Sequence, residues 1–409
     1  MVWVGHKSMQ SEKIGFAVDK NVQGDMRVVL VITDFQLGGA ERVFCLLANH
    51  FATLGIKVDF VVFSEEGRLR DLIEREVKVH SLGGGYGLSS ILQFRKLLRH
   101  LQPDLVLSAL EKVNFAALLA CVRLKNAPPI VTTTHIHWES HYSSKRVAAK
   151  FLFGVAARLL YPRAAARVAV SESARASMRN VLGESIDIRT INNPIDVAEI
   201  SRWAAHAPSH PWCEDPTVPL FICVGRLAPQ KDYPTAIRAF RLVRDKIPCR
   251  LLICGSGPER PGLERLIAEL GLDADVAVPG IVFPPYPEIA RARALVLSSR
   301  YEGQGVVLLE AIACGCPIVS TDCPGAREVL ASGAVGLIAK MGDAVDLSKR
   351  MLEILDVSPD RRSLMARSQE FSVERVGQAY LELLASIISH QEPKTGRRWT
   401  NLPSARGMD

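Results

Sequence analysis

The feature that most constrains this chain is an alternation that occurs twice. Short, mostly apolar runs are each closed by a glycine-bearing or polar turn and followed by a stretch of helical periodicity. In the first set the runs are Val28–Ile32, Val58–Phe63, Val77–His80, Leu105–Leu107, Ile130–Thr134 and Val168–Val170. Helices are expected between them at Ala40–Leu54, Leu69–Glu76, Ser90–Leu101 and Asn114–Leu124. Runs that are apolar at most positions suit strands buried on both faces, and strands separated by helices pair in parallel. His206 to Pro219, with Pro208, Pro211, Pro216 and Pro219 and few helix formers, reads as a linker. After it come the strands Phe221–Val224, Leu251–Cys254, Val276–Val278 and Ala294–Leu297, with helices at Tyr233–Lys246, Pro287–Arg293, Asp343–Leu355 and Val373–Ile388. The fold class is therefore α/β, with two doubly wound parallel-sheet domains, and 409 residues are enough for two cores. In such sheets ligands bind beyond the carboxyl ends of the strands.

Several of those strand ends carry chemistry. Beyond Ala294–Leu297, the stretch Ser298 to Val319 places Glu302 in a turn and Glu310 inside a helix, with seven residues between them. That helix is expected to open near Gly305 and to close near Cys314, with Gly315 as its stop. The amides of Gly305, Val306 and Val307 then lie in a first turn without intrahelical acceptors, where an anion such as phosphate is favoured. Gly303 and Gly305 let a bulky ligand approach the backbone. Either acid alone would be an ordinary surface or capping residue. Together with the glycines and the strand they describe a pocket for a nucleotide sugar, the carboxylates accepting hydroxyl protons from two rings. Beyond Phe221–Val224, Arg226 and Lys231 stand five residues apart and can reach one diphosphate, the arginine as a fork and the lysine as a point charge. Gly38 and Gly39 form a pair at a helix N-terminus, which by itself means no more than a tight turn. His135 follows a strand directly, with His137 and His141 as competitors. Gly255-Ser256-Gly257-Pro258 fails the dinucleotide fingerprint, because Arg260 stands at the third glycine position.

Here the chain resembles a known family. Glu302 and Glu310 match the E-x7-E signature of the retaining glycosyltransferases of family 4, which have the GT-B fold of two Rossmann-like domains facing across a cleft. The resemblance runs from about Arg27 to Ile388. It implies that Gly225-Arg226-Leu227-x-x-x-Lys231 clamps the donor diphosphate and that Gly38-Gly39 is the first-loop motif. It further implies that His135 reaches the donor sugar, that Gly255 and Gly257 turn beside the nucleotide, and that Gly280, Ile281 and Val282 border the base. Ile191 to Asp196 resembles the closing segment of the first domain, and Thr321 to Glu328 the loop after the next strand. One departure is visible: Gln304 and Val306 stand where relatives often carry Phe or Pro and Asn. The organisation so implied is a leader at 1–25, with Met26 an alternative start; an acceptor-side domain at 26–206; a linker at 207–219; and a nucleotide-sugar-binding domain at 220–372. A helix at 373–390 crosses back to the first domain, and 391–409 reads as a disordered tail.

The implied activity moves a sugar, with retained configuration, from a nucleoside-diphosphate donor (UDP-sugar favoured, GDP-sugar possible) to a glycan or polyprenyl-linked acceptor. By analogy the product is a bacterial cell-surface polysaccharide. Arg226, Lys231, Glu302 and His135 are the expected catalytic residues. Gly38, Gly39, Gly255, Gly257, Gly280, Ile281, Val282, Gly303, Gly305, Val306, Val307 and Glu310 are expected to hold the donor. The cationic pair and the helix amides would take the place of a divalent ion, so neither a metal nor a cofactor is expected. An epimerase of the same fold should lack the paired Arg226 and Lys231 with E-x7-E, and a nicotinamide oxidoreductase needs a glycine fingerprint that neither domain supplies.

Composition narrows the partners. A net charge of +7 is modest for this length and argues against a nucleic-acid binder. The nine cysteines contain no C-x-x-C pair and read as reduced core residues, which suits a cytoplasmic protein. No apolar run reaches membrane-spanning length, and the first 25 residues contain no signal-peptide core. Lys145 to Arg179 has eight basic residues against the single acid Glu172, interleaved with Phe151, Leu152, Phe153, Val155, Leu159, Leu160 and Tyr161. A core helix with a solvated basic face is one reading. The other is contact with an anionic membrane, peripheral on the inner face of the plasma membrane.

Overall fold

The computed structural model describes residues 26–143, 147–330, 335–357 and 360–389. The leader, the tail, Lys145 and Arg146 lie outside these. In chain order the first half contains β1 (Arg27–Ile32), α1 (Gly39–Thr53), β2 (Lys57–Val62), β3 (Lys78–Ser81), α2 (Leu88–Leu101), β4 (Leu105–Ala109) and α3 (Glu111–Cys121). It continues with β5 (Ile130–Thr134), α4 (Trp138–Ser143), α5 (Val147–Leu160), β6 (Ala166–Ala169), α6 (Glu172–Leu182), β7 (Arg189–Thr190) and α7 (Val197–Ala204). The second half contains β8 (Leu220–Val224), α8 (Tyr233–Arg244), β9 (Arg250–Cys254), α9 (Arg260–Glu269), β10 (Val276–Gly280), α10 (Tyr286–Arg291) and β11 (Ala294–Leu297). Then come α11 (Val306–Ala313), β12 (Ile318–Thr321), α12 (Ala326–Val329), β13 (Gly336–Ala339), α13 (Ala344–Asp356), α14 (Arg361–Ser368) and α15 (Val373–Ser389).

The strands form two wholly parallel sheets, one of seven in the order β3-β2-β1-β4-β5-β6-β7 and one of six in the order β10-β9-β8-β11-β12-β13. In each, the order reverses once, between β1 and β4 and between β8 and β11. At such a switch point neighbouring loops splay apart and leave a crevice. Helices cover both faces of each sheet, and the buried residues divide into two clusters per domain, one on either face.

One expected element differs. Leu69–Glu76 is not an α-helix; only a 3-10 turn forms, at Arg68–Leu72. The Asn49 side chain takes the backbone groups that a helix would need, donating to Leu72 O at 2.7 Å and accepting from the Glu74 amide at 3.1 Å. The proline-rich linker has local structure of its own. Pro211–Glu214 makes a 3-10 turn whose Cys213 is buried with Ile195 and Ile200 in a core of the second domain.

The chain passes between the domains twice, side by side. Ile195 donates to Phe371 O at 2.8 Å and accepts from the Val373 amide at 2.9 Å. From there α15 lies on the first domain, burying Val376, Tyr380, Leu381 and Leu384 with Phe44 and Phe51 of α1. The domains also touch across the cleft. The Asn193 amide donates to Gln304 Oε1 at 2.6 Å, the Ser171 hydroxyl donates to Gly303 O, and Glu328 accepts the amides of Glu172 and Ser173 at 2.8 and 2.7 Å. Glycine is required at this seam: a Cβ on Gly303 would stand 2.0 Å from the His135 carbonyl oxygen.

Candidate active site

The cleft is built from the loops at the two switch points. After β11 the chain turns through Glu302 and enters α11, whose N-cap Gly305 adopts φ +77°, a left-handed conformation that suits glycine. The helix begins at Val306, so the amides of Val306 and Val307 lead it and Gly305 stands just outside. Glu302 is buried at 7 % exposure and accepts from Lys231 Nζ at 2.6 Å and from Ser299 Oγ at 2.6 Å. The loop after β8 is laced to the loop after β11: the Ser298 hydroxyl donates to Lys231 O at 2.7 Å and the Gln230 amide to Tyr301 O at 2.8 Å. Lys231 and Glu302 thus form one rigid unit at adjacent strand ends. Arg226 is exposed nearby, and no described carboxylate forms an ion pair with it.

Gly255 and Gly257 support this unit from behind. A Cβ on Gly255 would lie 1.9 Å from Gly225 O, and one on Gly257 2.3 Å from Leu227 O. Their visible duty is to let the Arg226 loop pack against the end of β9. Gly280 ends β10 and accepts from the Gly255 amide at 2.7 Å. Ile281 and Val282 continue from it into the wall of a cavity of about 360 Å³ at the domain junction, together with Arg68, Trp203 and Phe283.

From the first domain, Gly38 and Gly39 present the start of α1 to α11. The Glu41 carboxylate folds over Gly38, where a Cβ would lie 2.0 Å from it, and Gly39 faces the Val306 side chain. Glu41 accepts from Thr33 Oγ1 at 3.0 Å, and burial raises its pKa, with Arg226 across the cleft opposing the shift. Glu41 was not among the expected residues. The signal for it was local: an acid at the third helical position after a glycine N-cap folds back over the helix end.

His135 follows β5, but its ring is enclosed by the first domain, with Nε2 against Thr133 Oγ1 at 2.9 Å and the Phe44 ring edge-on at 6.0 Å. Burial pushes its pKa down to about 4, so the imidazole is neutral at ordinary pH. His135 Nδ1 and Asn193 Oδ1 are both buried without a hydrogen-bond partner. The competitors are placed otherwise. His137 Nδ1 accepts from Ser140 at the start of α4, and the His141 ring meets the hydroxyl of Tyr301 across the seam at 3.4 Å.

Glu310 lies on α11, buried at 7 % exposure, with Tyr286 donating to its Oε1 at 3.2 Å. Arg42 of α1 pairs with the same oxygen at 3.2 Å. Sequence reasoning missed Arg42, because its partner belongs to the other domain. Glu111, another buried acid, accepts from the Trp138 indole at 2.8 Å and is placed as a core support. An Asp-x-Asp spacing occurs at Asp273–Asp275. It precedes β10, at the end of the sheet away from the cleft, and Asp275 is paired with Arg244 at 2.8 Å.

Comparison with known proteins agrees with this architecture. The family model described as Glycosyl transferases group 1 matches residues 211–371, and that described as Glycosyltransferase Family 4 matches 37–199. The lipopolysaccharide core biosynthesis glycosyltransferase LpsE of Rhizobium meliloti is 27 % identical over 364 residues, covering 85 % of this chain and 96 % of that protein. An α-1,4-N-acetyl-D-galactosaminyltransferase of Campylobacter jejuni, named for an undecaprenol-diphosphate-linked substrate, is 24 % identical over 380 residues, 88 % of this chain and 99 % of its own. Among solved structures, a sucrose-phosphate synthase from Thermosynechococcus elongatus superposes with TM-score 0.76 at 17 % identity, over 90 % of this chain and 100 % of that one. Anabaena HepE in complex with UDP and glucose gives 0.73 at 19 % identity, over 88 % and 100 %.

Proposed function

The chain belongs to the group 1, family 4 glycosyltransferases of GT-B fold, and on that premise we propose that it is a retaining, metal-independent enzyme using a nucleoside-diphosphate sugar. UDP-sugar is the favoured donor and GDP-sugar the alternative. The acceptor is a glycan or a lipid-linked sugar in bacterial cell-surface polysaccharide synthesis, a reading supported by the names of the relatives.

The observation that carries the proposal is the Lys231–Glu302 unit, set beside Arg226 and the leading amides of α11, with the Gly38-Gly39 loop opposite. As the bond from the anomeric carbon to the phosphate oxygen breaks, its electron pair passes to the diphosphate and positive charge develops on the sugar. Lys231, Arg226 and the amides of Val306 and Val307 stabilise the departing oxygens before the charge forms, which is the most effective use of fixed donors. The acceptor hydroxyl oxygen bonds to the anomeric carbon from the same face, and its proton goes to the departing phosphate oxygen. Glu302 orients the sugar hydroxyls and Glu310 the ribose. His135, being neutral, serves as a hydrogen-bonding wall at the sugar rather than as an acid.

The acceptor side would work at a membrane surface, with the protein peripheral on the inner face. The support is α5, whose outward residues include Phe151 at 73 % exposure, Leu152 at 69 % and Leu159 at 63 %, beside exposed Lys150, Arg158 and Arg163. No helix among the described residues is long and apolar enough to cross a membrane.

The test is incubation with labelled UDP- and GDP-sugars without acceptor, followed by chromatography. Slow release of free sugar of retained configuration and nucleoside diphosphate, unaffected by chelators, is expected. A donor returned as its epimer, or hydrolysis that stops on chelation, would overturn the reading.

A further inference from the structure

The acid assigned to the ribose belongs to the second domain, but its counter-ion comes from the first. Arg42 projects from the first turn of α1, and its guanidinium stands 3.2 Å from Glu310 Oε1. It is held there by two aromatic faces of the second domain, 5.5 Å from the centroid of Phe283 and 5.1 Å from that of Tyr286. Tyr286 donates to the same oxygen at 3.2 Å. Both bonds fall on Oε1, which leaves Oε2 for a ligand. A buried carboxylate without a cation is costly and tends to take up a proton instead. Burial raises the Glu310 pKa and Arg42 opposes it. The other charged group facing the guanidinium is Glu199 of α7, and the titratable groups facing Glu310 are Tyr286 and Cys314. None of these can replace the cation.

We propose that Arg42 is a positioning residue for the nucleotide: it holds Glu310 charged and aimed, so that recognition of the ribose depends on contact between the two domains. This rests on the assignment of Glu310 to the ribose. It has a consequence for the order of events. A nucleotide meeting an open cleft finds Glu310 without its partner and binds weakly, and closing the cleft, which brings α1 to α11, completes the ribose site. Sugar donors are then discriminated only when the catalytic parts are also in place.

The experiment titrates the full chain calorimetrically with UDP and GDP, and with the 2′-deoxy form of whichever binds. The quantity read is the ratio of the two affinities, which does not depend on the fraction of correctly folded protein. Wild type should prefer the ribonucleotide by about tenfold or more, the range for one hydrogen bond to a charged group, at both pH 6 and pH 8. In Arg42→Gln the Glu310 carboxyl loses the cation that opposed its protonation, so the preference should fall, and fall further at pH 6 than at pH 8. Arg42→Lys restores a positive charge and should restore the pH-independent preference. An Arg42→Gln protein with the wild-type ratio at both pH values would overturn the proposal. So would one that loses affinity equally for both nucleotides, since that means contact with phosphate or base. A Glu310→Gln protein with an unchanged ratio would instead show that the ribose assignment itself is wrong, and the proposal would fall with it.

Discussion

Lys231 and Glu302 are both well enclosed, with side-chain exposures of 16 % and 9 %, and meet at 2.6 Å. Lys231→Ala removes one partner of a desolvated pair, and such a loss typically costs about 3–5 kcal/mol, because the remaining charge stays buried. Here Ser299 Oγ keeps a bond to the carboxylate at 2.6 Å. One surviving hydrogen bond of about 1 kcal/mol brings the expected loss to about 2–4 kcal/mol. Glu302→Gln alone should cost less, since an amide is easier to bury and Lys231 retains partial access to solvent. The double variant, Lys231→Ala with Glu302→Gln, should be less damaging than the sum by about 2 kcal/mol, the range of coupling for residues in direct contact. Urea denaturation of the four proteins measures the cycle, and turnover on the same samples measures the chemistry, with kcat expected to fall by about a hundredfold or more in Lys231→Ala. A Lys231→Ala protein within about 0.5 kcal/mol of wild type, as for an ordinary surface pair, would refute the account of Lys231 and Glu302 as a buried unit. Additive losses across the cycle would do the same.

Arg226→Ala, at an exposed position, should reduce kcat by about a hundredfold while leaving stability within about 0.5 kcal/mol, as read by the same two assays. Gly303→Ala places a Cβ 2.0 Å from the His135 carbonyl oxygen and must part the domains there. Transfer should fall by about tenfold or more with little change in second-domain stability, whereas full activity would show that the seam is not closed during catalysis. His135 has a folded pKa of about 4, below its unfolded value of about 6.5, so the unfolded chain binds the extra proton between them. Its stabilising contribution is present above pH 6.5 and lost as pH falls toward 4, by up to about 3 kcal/mol. Denaturation at several pH values should show wild type losing more than His135→Asn in that window, and parallel curves would contradict it. Binding to anionic vesicles should weaken with salt and drop several-fold in Phe151→Ser with Leu152→Ser, and a wild type that ignores such vesicles at low salt would leave α5 without this role.

The sheets were legible because short, mostly apolar runs between helices have few other uses. The alternation gave parallel pairing, while the order of strands and the switch points came from the tertiary structure. The placement of candidate groups was readable where a site is local in sequence, as with Glu302, Gly305 and the leading amides of α11, because a helix start after a strand imposes its own geometry on a few residues. Local pattern failed where a distant side chain took over backbone groups, as Asn49 does to the 69–76 segment. It was also silent on which glycines face protein backbone, as Gly255 and Gly257 do.

What the sequence alone determined, then, are features with a period or a fixed spacing: the parallel sheets, the cysteines without disulfides, and the two acids with seven residues between them. Only the tertiary structure decided what spans the cleft. Arg42 and Glu310 are separated by hundreds of residues, and nothing in the neighbourhood of either shows that one compensates the charge of the other. The same holds for Gly303 against the His135 carbonyl, and for the outward apolar face of α5, whose periodicity looks like that of a core helix until the packing shows which side is turned away. Contact energies depend on distance in space and on water excluded, and along the chain neither quantity is written for residues that meet only when two domains do.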